Sequence, residues 1–262
     1  MSQPIGSTVL YEVEDAIATI TMNRPEARNA LSMALQRDLS AALARADADE
    51  AVRVVLLTGA GKAFTAGVDL KEFGQIGGQT DGEGERPDIW KAIEACTKPI
   101  IGAVNGPAIT GGFEVALACD VLVAGRSARF ADTHGRVGVL PGAGLSQRLS
   151  RAIGIYRAKY LSLTGNFLDG QTAFDWGLVS HVVDDDALME TARQVARDML
   201  GLQPHMLPAM KKVIDDGFAM TFGDAMPMES ERSRAQIREA DAWRGAGEAF
   251  SGVRDRGREQ NG

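Results

Sequence analysis

Runs of apolar residues predict a series of β-strands along the chain. Residues 9–13 and 17–22 flank a short acidic turn, and this pattern predicts a β-hairpin. Residues 54–58 form an uninterrupted apolar run, and comparable runs follow at residues 100–104 and 120–124. Continuous runs are typical of parallel strands in a central sheet, because both faces of such a sheet are covered.

Helical patterns lie between and after these strands. Leucines spaced four residues apart place one apolar stripe on a helix, and Asn29 is its predicted N-cap. These leucines are Leu31, Leu35, Leu39 and Leu43. Another helix is predicted over residues 113–118, directly after the pair Gly111-Gly112. Strand, turn and helix therefore alternate from about residue 50 to residue 183, which predicts an α/β core with right-handed crossovers.

The last part of the chain has a different character. Beyond Asp184 the pattern is entirely helical, so we expect a core domain over residues 1–200 and a C-terminal helical region over residues 201–262. Residues 74–87 are rich in glycine and acidic side chains and poor in apolar ones, which predicts a mobile loop.

The composition excludes several classes of protein. Of 262 residues, 45% are hydrophobic and 24% charged, enough apolar content to bury a core without disulfides. The net charge of −7 argues against a nucleic-acid partner. Cys96 and Cys119 stand apart, so neither a disulfide framework nor a thiolate zinc site is expected, and a cytoplasmic location fits best. Neither a leader pattern nor a run of about 18 apolar residues occurs, so we expect no membrane insertion.

The glycine-rich turns do not match the common nucleotide-binding motifs. Leu56 stands where a phosphate-binding loop needs its first glycine, and Ala63 stands where Ser or Thr would bind magnesium. The dinucleotide pattern fails at Phe64 and again at Gln147. These turns therefore need another explanation.

Two turns, at residues 61–70 and 105–114, carry the strongest signal. Together with residues 23–25 and 141–144, their sequences resemble the crotonase superfamily, also called the enoyl-CoA hydratase/isomerase family, over nearly the whole chain. The resemblance implies an α/β fold of the ClpP/crotonase type, a spiral of β-β-α units with a C-terminal helical region. It also implies an acyl-CoA thioester substrate, a homotrimer or a homohexamer built as a dimer of trimers, and reversible hydration of trans-2-enoyl-CoA to 3-hydroxyacyl-CoA.

The resemblance assigns the shared chemistry to two backbone N–H groups, those of Val68 and Gly111, which would bind the oxygen of a thioester enolate. The residues themselves agree with this assignment. The pair Gly111-Gly112 at the start of an apolar helix lets backbone approach a ligand closely, and a helix N-terminus favours developing negative charge. The alternative is that these glycines only form a tight turn.

Two side chains are candidates for proton transfer. Glu114 lies in an apolar run, where an ionised carboxylate is costly unless it is paired or used. The resemblance places one of two water-binding glutamates here, but the position of the second, seven residues before Pro141, holds His134. A neutral imidazole can accept a proton from water and return one to carbon, so Glu114 and His134 form the predicted catalytic pair. A purely structural His134 remains the alternative, and Asp132 could also reach the site.

The resemblance also assigns substrate-binding positions. These are Arg28, Lys62, Phe64, Ala66, Asp69 and Leu140. The two cations match positions near CoA phosphates, and Asp69 is expected to hold the turn of Val68. Phe64 and Leu140 match positions near the acyl group, although apolar residues of this kind are usually core. The sequence contains no metal-ligand cluster, so we expect no metal and no cofactor other than the CoA of the substrate.

Two further hypotheses stay open from the sequence. A double-bond isomerase of the same superfamily needs only one well-placed base. A non-catalytic acyl-CoA-binding protein would have kept the fold and lost turnover when the second carboxylate was replaced.

Overall fold

The computed structural model describes residues 3–75 and 88–239, together with residues 253, 256 and 257. The chain divides into two compact units, Met1–Pro208 and Ala209–Gly262. The first unit extends past residue 200 because Leu207 is buried in its core. Most of the segment predicted to be a mobile loop, residues 76–87, lies outside the described residues, and residues 74 and 75 end a short helix.

The described strands are β1 (Gln3–Ile5), β2 (Val9–Glu14), β3 (Ile17–Met22), β4 (Val54–Gly59), β5 (Ile100–Val104), β6 (Pro107–Ile109), β7 (Val121–Gly125), β8 (Arg129–Ala131), β9 (Leu168–Asp169) and β10 (His181–Val183). The described α-helices are α1 (Met33–Ala48), α2 (Leu70–Gln75), α3 (Ile89–Ala95), α4 (Gly111–Ala118), α5 (Leu145–Ile153), α6 (Ile155–Thr164), α7 (Gly170–Asp175), α8 (Leu188–Leu200), α9 (Met206–Phe218) and α10 (Phe222–Glu239). Short 3-10 helices cover Pro25–Ala27 and His134–Arg136.

Two sheets organise the first unit. The larger sheet has the strand order β1-β2-β3-β4-β5-β7-β10, antiparallel from β1 to β3 and parallel from β3 onward. The smaller sheet has the order β6-β8-β9. Strand β5 is followed by β6 and helix α4, and strand β7 is followed by β8 and, after a 3-10 helix, by α5. These repeated units confirm the predicted spiral of β-β-α units.

Apolar side chains cover both faces of the larger sheet. In β4, Val55 and Leu57 belong to the main core, whereas Val54 and Leu56 belong to a second core that also contains Leu188 of helix α8. Successive side chains of a strand point to opposite faces, so a strand buried on both sides needs an unbroken apolar run. The prediction of a buried central strand is therefore confirmed.

The N-terminus of α1 differs from the prediction. Helix α1 begins at Met33, and its N-cap is Ser32, whose Oγ accepts a hydrogen bond of 3.2 Å from the Leu35 N–H. The predicted cap, Asn29, is wrong. Asn29 is fully buried with φ at +54°, and its side chain bonds the backbone of neighbouring turns instead. Asparagine tolerates this left-handed conformation better than most residues, which suits it to such a turn.

The second unit contains most of α9 and all of α10. The carboxylate of Asp216 on α9 accepts a hydrogen bond from Arg232 on α10 at 2.5 Å and lies 3.0 Å from Lys212 Nζ. These cations hold the pKa of Asp216 below its usual value. The helical character predicted beyond Asp184 is confirmed for the described residues by α8, α9 and α10. Within those residues, no helix is both long and apolar enough to cross a bilayer.

Candidate active site

The N-terminus of α4 is the centre of the candidate site. Its first turn contains Gly111 and Gly112, both buried, and the preceding residue, Thr110, has φ at +54° and ψ at −113°. Positive φ is a strained conformation for a β-branched residue, and such strain is concentrated at functional sites. The hydroxyl of Thr110 is hydrogen-bonded to that of Thr133, which ties the start of α4 to the segment that follows β8.

A second turn, residues 61–69, packs against this helix start. Thr65 connects the two segments, because its N–H donates to Pro107 O and its carbonyl accepts from the Ile109 N–H, each at 3.1 Å. Gly67 has φ at +89°, and a Cβ at this position would lie 2.5 Å from Ile109 O. Only glycine allows both the left-handed backbone and this close approach.

The two predicted N–H donors are neighbours in space. A Cβ on Gly111 would lie 3.6 Å from the backbone nitrogen of Val68 and 3.4 Å from its Cγ2. Neither of these N–H groups donates a hydrogen bond to any acceptor within the part of the chain that the structure describes. The first N–H groups of a helix have no partner inside the helix, so Gly111 is available to a ligand. Two adjacent free donors form a site suited to an anionic oxygen.

An ion pair supports the turn that carries Val68. Arg24 Nη1 donates to Asp69 Oδ2 at 3.0 Å and to Ala30 O at 2.6 Å. Burial favours a higher pKa for Asp69, but the hydrogen bonds from Arg24 and from backbone N–H groups, with the Arg24 charge, hold the pKa below its usual value. Asp69 thus has the structural surroundings expected of a residue that holds this turn.

Two asparagines fix the rest of the same turn. The Asn29 amide donates to Ala60 O at 2.9 Å and Ala63 O at 2.8 Å, and the Asn105 amide donates to Gly59 O at 2.7 Å and Gly61 O at 3.0 Å. No role of Asn105 or Arg24 was predicted from the sequence. Both lie inside the quoted motifs, so a search for polar partners of the turn carbonyls could have found them.

Glu114 lies one turn into α4 and is 3% exposed. Its Oε1 accepts a hydrogen bond of 2.8 Å from the Ala143 N–H. Ala143 lies in the segment between the 3-10 helix and α5. Its Oε2 lies 3.7 Å from His134 Nε2. This distance is too long for a direct hydrogen bond, but one water oxygen can lie about 2.8 Å from both atoms.

His134 begins the 3-10 helix after β8 and is 7% exposed. Its Nδ1 lies 2.8 Å from Asp132 Oδ1, and its backbone N–H donates to the same oxygen at 3.2 Å. Burial favours a higher pKa for Asp132, but hydrogen bonds from the side chains of His134 and Ser162 and from the His134 N–H hold it below its usual value. The structure therefore brings Glu114, His134 and Asp132 together in one buried cluster.

The predicted substrate-binding residues differ in their exposure to solvent. Lys62 and Arg28 are exposed, and Ala66, which donates its N–H to Arg28 O at 3.0 Å, is half-buried. Leu140 is 90% exposed, in the loop before α5. The side chain of Phe64 is fully buried in the main core.

This spiral of β-β-α units with helices in its C-terminal region is the fold of the crotonase class of proteins. The chain belongs to the enoyl-CoA hydratase/isomerase family, because the family model described as "Enoyl-CoA hydratase/isomerase" matches residues 12–250.

Individual relatives agree with this assignment. The chain is 41% identical over 237 residues to "Probable enoyl-CoA hydratase 1, peroxisomal" of Arabidopsis thaliana, covering 90% of this chain and 89% of that protein. It is 34% identical over 244 residues to "1,2-epoxyphenylacetyl-CoA isomerase" of Escherichia coli, covering 89% and 91%. A solved enoyl-CoA hydratase from Bacillus anthracis superimposes with a TM-score of 0.83 at 33% identity, covering 94% and 96%.

Proposed function

We propose that this protein is an enoyl-CoA hydratase, which adds water reversibly to trans-2-enoyl-CoA to give 3-hydroxyacyl-CoA. The observation that carries the proposal is the buried pair of Glu114 Oε2 and His134 Nε2, which lie 3.7 Å apart. Glu114 is on α4, the helix whose first residue is Gly111, and His134 begins the 3-10 helix after β8. A carboxylate and an imidazole at this separation can hold one water molecule between them. The names of relatives such as the Arabidopsis protein support the same reaction.

In this reaction, the N–H groups of Val68 and Gly111 bind the thioester oxygen and stabilise the negative charge that develops on it. The water oxygen forms a bond to C3 while one water proton moves to His134 Nε2. C2 of the enolate then takes this proton from His134, and the Nε2–H bond breaks. This step leaves His134 neutral and completes the addition of water. Glu114 holds the water, and its own orientation is fixed by the Ala143 N–H.

A double-bond isomerase is the second candidate, because His134 is a single base where the two-glutamate hydratase pattern has a carboxylate. The Escherichia coli relative named "1,2-epoxyphenylacetyl-CoA isomerase" shows that an isomerase occurs among similar sequences, although its named substrate is an epoxide. An isomerase would move a proton between C2 and C4 and would need no bound water. A 3-enoyl-CoA substrate assayed beside a 2-enoyl-CoA separates the two reactions.

The first experiment follows the loss of absorbance of the conjugated thioester with crotonyl-CoA and with a longer 2-enoyl-CoA. We expect turnover by the wild type, and a loss of about 10²- to 10⁴-fold in kcat for Glu114→Gln and His134→Ala. His181→Ala is the matched control, because His181 is exposed on β10.

The same assay can reject the proposal. Wild-type turnover in Glu114→Gln would contradict the role of Glu114. No wild-type activity, with activity gained in His134→Glu, would indicate that the scaffold serves another reaction. Tight CoA-ester binding without turnover of any enoyl substrate would favour the non-catalytic alternative.

We assign Arg28 and Lys62 to the phosphates of CoA, because both cations are exposed beside the turn that carries Ala66. Exposed ion pairs contribute about 0.2–1 kcal/mol each, so Lys62→Ala should raise KM for crotonyl-CoA by about 1.4- to 5-fold. A pantetheine thioester that lacks the nucleotide should show no such change. An equal rise in KM for both substrates would contradict the assignment. No metal or other cofactor takes part in this proposal, so dialysis against EDTA should leave kcat unchanged.

We also propose that the protein is a homotrimer or a dimer of trimers. Tyr156, Tyr160 and Leu163 lie on one face of α6 at helical spacing, and all three are exposed. Exposed apolar patches of this kind mark interaction surfaces. Leu163→Glu should lower the mass measured by light scattering, whereas Arg37→Glu, at an exposed position of α1, should not. A wild-type mass equal to one chain would reject the oligomer.

We place the protein in the cytoplasm, on the basis of its two separate cysteines. The Arabidopsis relative is named as peroxisomal. Cell fractionation with an antibody to this chain distinguishes the two compartments.

A further inference from the structure

The side chain of Asp132 contacts the imidazole on the side away from Glu114. Asp132 is 3% exposed, and its Oδ1 lies 2.8 Å from His134 Nδ1. The opposite ring nitrogen, Nε2, is the one that lies 3.7 Å from Glu114 Oε2. Asp132, His134 and Glu114 therefore form a line of three buried groups.

The protonation of Asp132 decides which nitrogen of a neutral ring carries the proton. Burial opposes the charged form, but the hydrogen bonds from His134 and Ser162 outweigh it and hold the pKa of Asp132 low. An ionised carboxylate only accepts hydrogen bonds. The neutral ring must then carry its proton on Nδ1, which leaves a lone pair on Nε2.

We propose that Asp132 is a positioning residue for the hydration reaction: it keeps the proton of the neutral His134 ring on Nδ1, so that Nε2 faces the catalytic water as a base. This inference rests on the proposed function. When Nε2 takes a proton from water, the ring becomes a cation, and the Asp132 carboxylate at Nδ1 stabilises it.

Contacts around Asp132 give it a fixed geometry. Its Oδ1 also accepts the His134 N–H at 3.2 Å, and Ser162 on α6 bonds its side chain. The neighbouring Thr133 is hydrogen-bonded to Thr110 at the start of α4. Within the part of the chain that the structure describes, the charged groups paired with the ring are Glu114, from α4, and Asp132, from its own segment.

The ring proton can be observed directly by ¹⁵N NMR of protein labelled at histidine. The chain has three histidines, and His134→Gln assigns the signals of His134. At pH 8 we expect Nδ1 to carry the proton and Nε2 to have the shift of an unprotonated nitrogen. A proton on Nε2 in the wild type would overturn the inference. This measurement needs no turnover, so it is independent of the proposed function.

The variant Asp132→Asn tests the consequence for catalysis. An amide can donate to Nδ1, which would move the ring proton to Nε2 and remove the base. We expect kcat with crotonyl-CoA to fall about 10- to 100-fold, within the range of general-base contributions, with KM changed less than about twofold. Asp38→Asn is the control, because Asp38 accepts hydrogen bonds from Ser7 and Thr8 at the N-terminal turn.

A second background separates positioning from general structural support. In His134→Glu no imidazole remains, so adding Asp132→Asn should cost less than about twofold in kcat if Asp132 acts through the ring. The same fold loss in both backgrounds would mean that Asp132 only supports the local fold, and would overturn the inference. If the wild type carries the ring proton on Nδ1 but shows no hydratase turnover, the proposed function is rejected and the inference about the ring proton is not.

Discussion

Replacement of Gly112 by alanine should separate the two turns that form the candidate oxyanion site. The added Cβ would lie 2.3 Å from Thr65 O and 3.0 Å from Thr65 C. Ordinary van der Waals contact begins near 3.4 Å, so the two backbones must move apart by about 1 Å. Thr65 cannot turn away freely, because its N–H and carbonyl both pair with the segment at Pro107 and Ile109.

This displacement affects both stability and rate. Overpacking of a buried site costs about 1–3 kcal/mol, and the obstacle here is backbone, so we expect the upper end. For a chain of this size, about 3 kcal/mol lowers Tm by about 6–12 °C. Because Gly111 moves with Gly112, its N–H is displaced from Val68, and loss of one oxyanion donor costs about 10²- to 10³-fold in kcat.

The assay compares the Tm and kcat of Gly112→Ala with the Tm of Gly111→Ala. A Cβ at Gly111 meets no heavy atom closer than 3.4 Å, so Gly111→Ala should keep a Tm within about 3 °C of the wild type, the equivalent of about 1 kcal/mol. Wild-type Tm and kcat in Gly112→Ala would refute the reasoning, because they would mean that the turns tolerate separation without loss of the site.

Three further predictions concern the framework of the site. Arg24→Met should lower the free energy of unfolding by about 1–3 kcal/mol in urea titrations, because Ala30 O and the Asp69 carboxylate lose a charged donor. An unchanged urea midpoint would contradict this. Ser32→Ala should cost about 1 kcal/mol by loss of the α1 N-cap, whereas Asn29→Ala should cost more. It removes the donor to Ala60 O and the acceptor of the Arg24 N–H, and leaves Ala63 O only the 3.4 Å bond from Asn105. The lowered pKa of Asp132 stabilises the protein above about pH 4, the usual aspartate value, and this contribution is lost as the pH falls further. The difference in unfolding free energy between pH 6 and pH 3 should therefore be smaller in Asp132→Asn, and an equal difference would argue against the ionised form.

Much of the fold could be predicted from local patterns. The hairpin of β2 and β3, the buried strand β4 and the stripe on α1 follow from residues that are close in sequence. The spacing of apolar residues in these elements indicates which side chains are buried, because burial depends largely on the apolar character of each side chain. The start of α1 could not be predicted in this way, because Asn29 and Ser32 are both good caps, and only the turn at residues 60–63 gives Asn29 other partners.

In the candidate site, too, some features could be predicted from the sequence and others only from the structure. Gly111, Val68 and Glu114 were predicted from their motifs, whose spacing along the chain is a local property. Phe64 was predicted near the acyl group by resemblance, and only the structure shows that its side chain is packed in the main core. Arg24 lies 45 residues from Asp69, so no local pattern joins the two.

By itself, the sequence determined the α/β class, the resemblance to a family and the chemical types available at the site. The tertiary structure alone decided that His134 lies between Asp132 and Glu114, with one ring nitrogen toward each. A side chain's identity defines what it can donate or accept, and this is readable residue by residue. Its partner depends on distances between segments that the chain brings together only on folding, as β8, its following 3-10 helix and α4 are here.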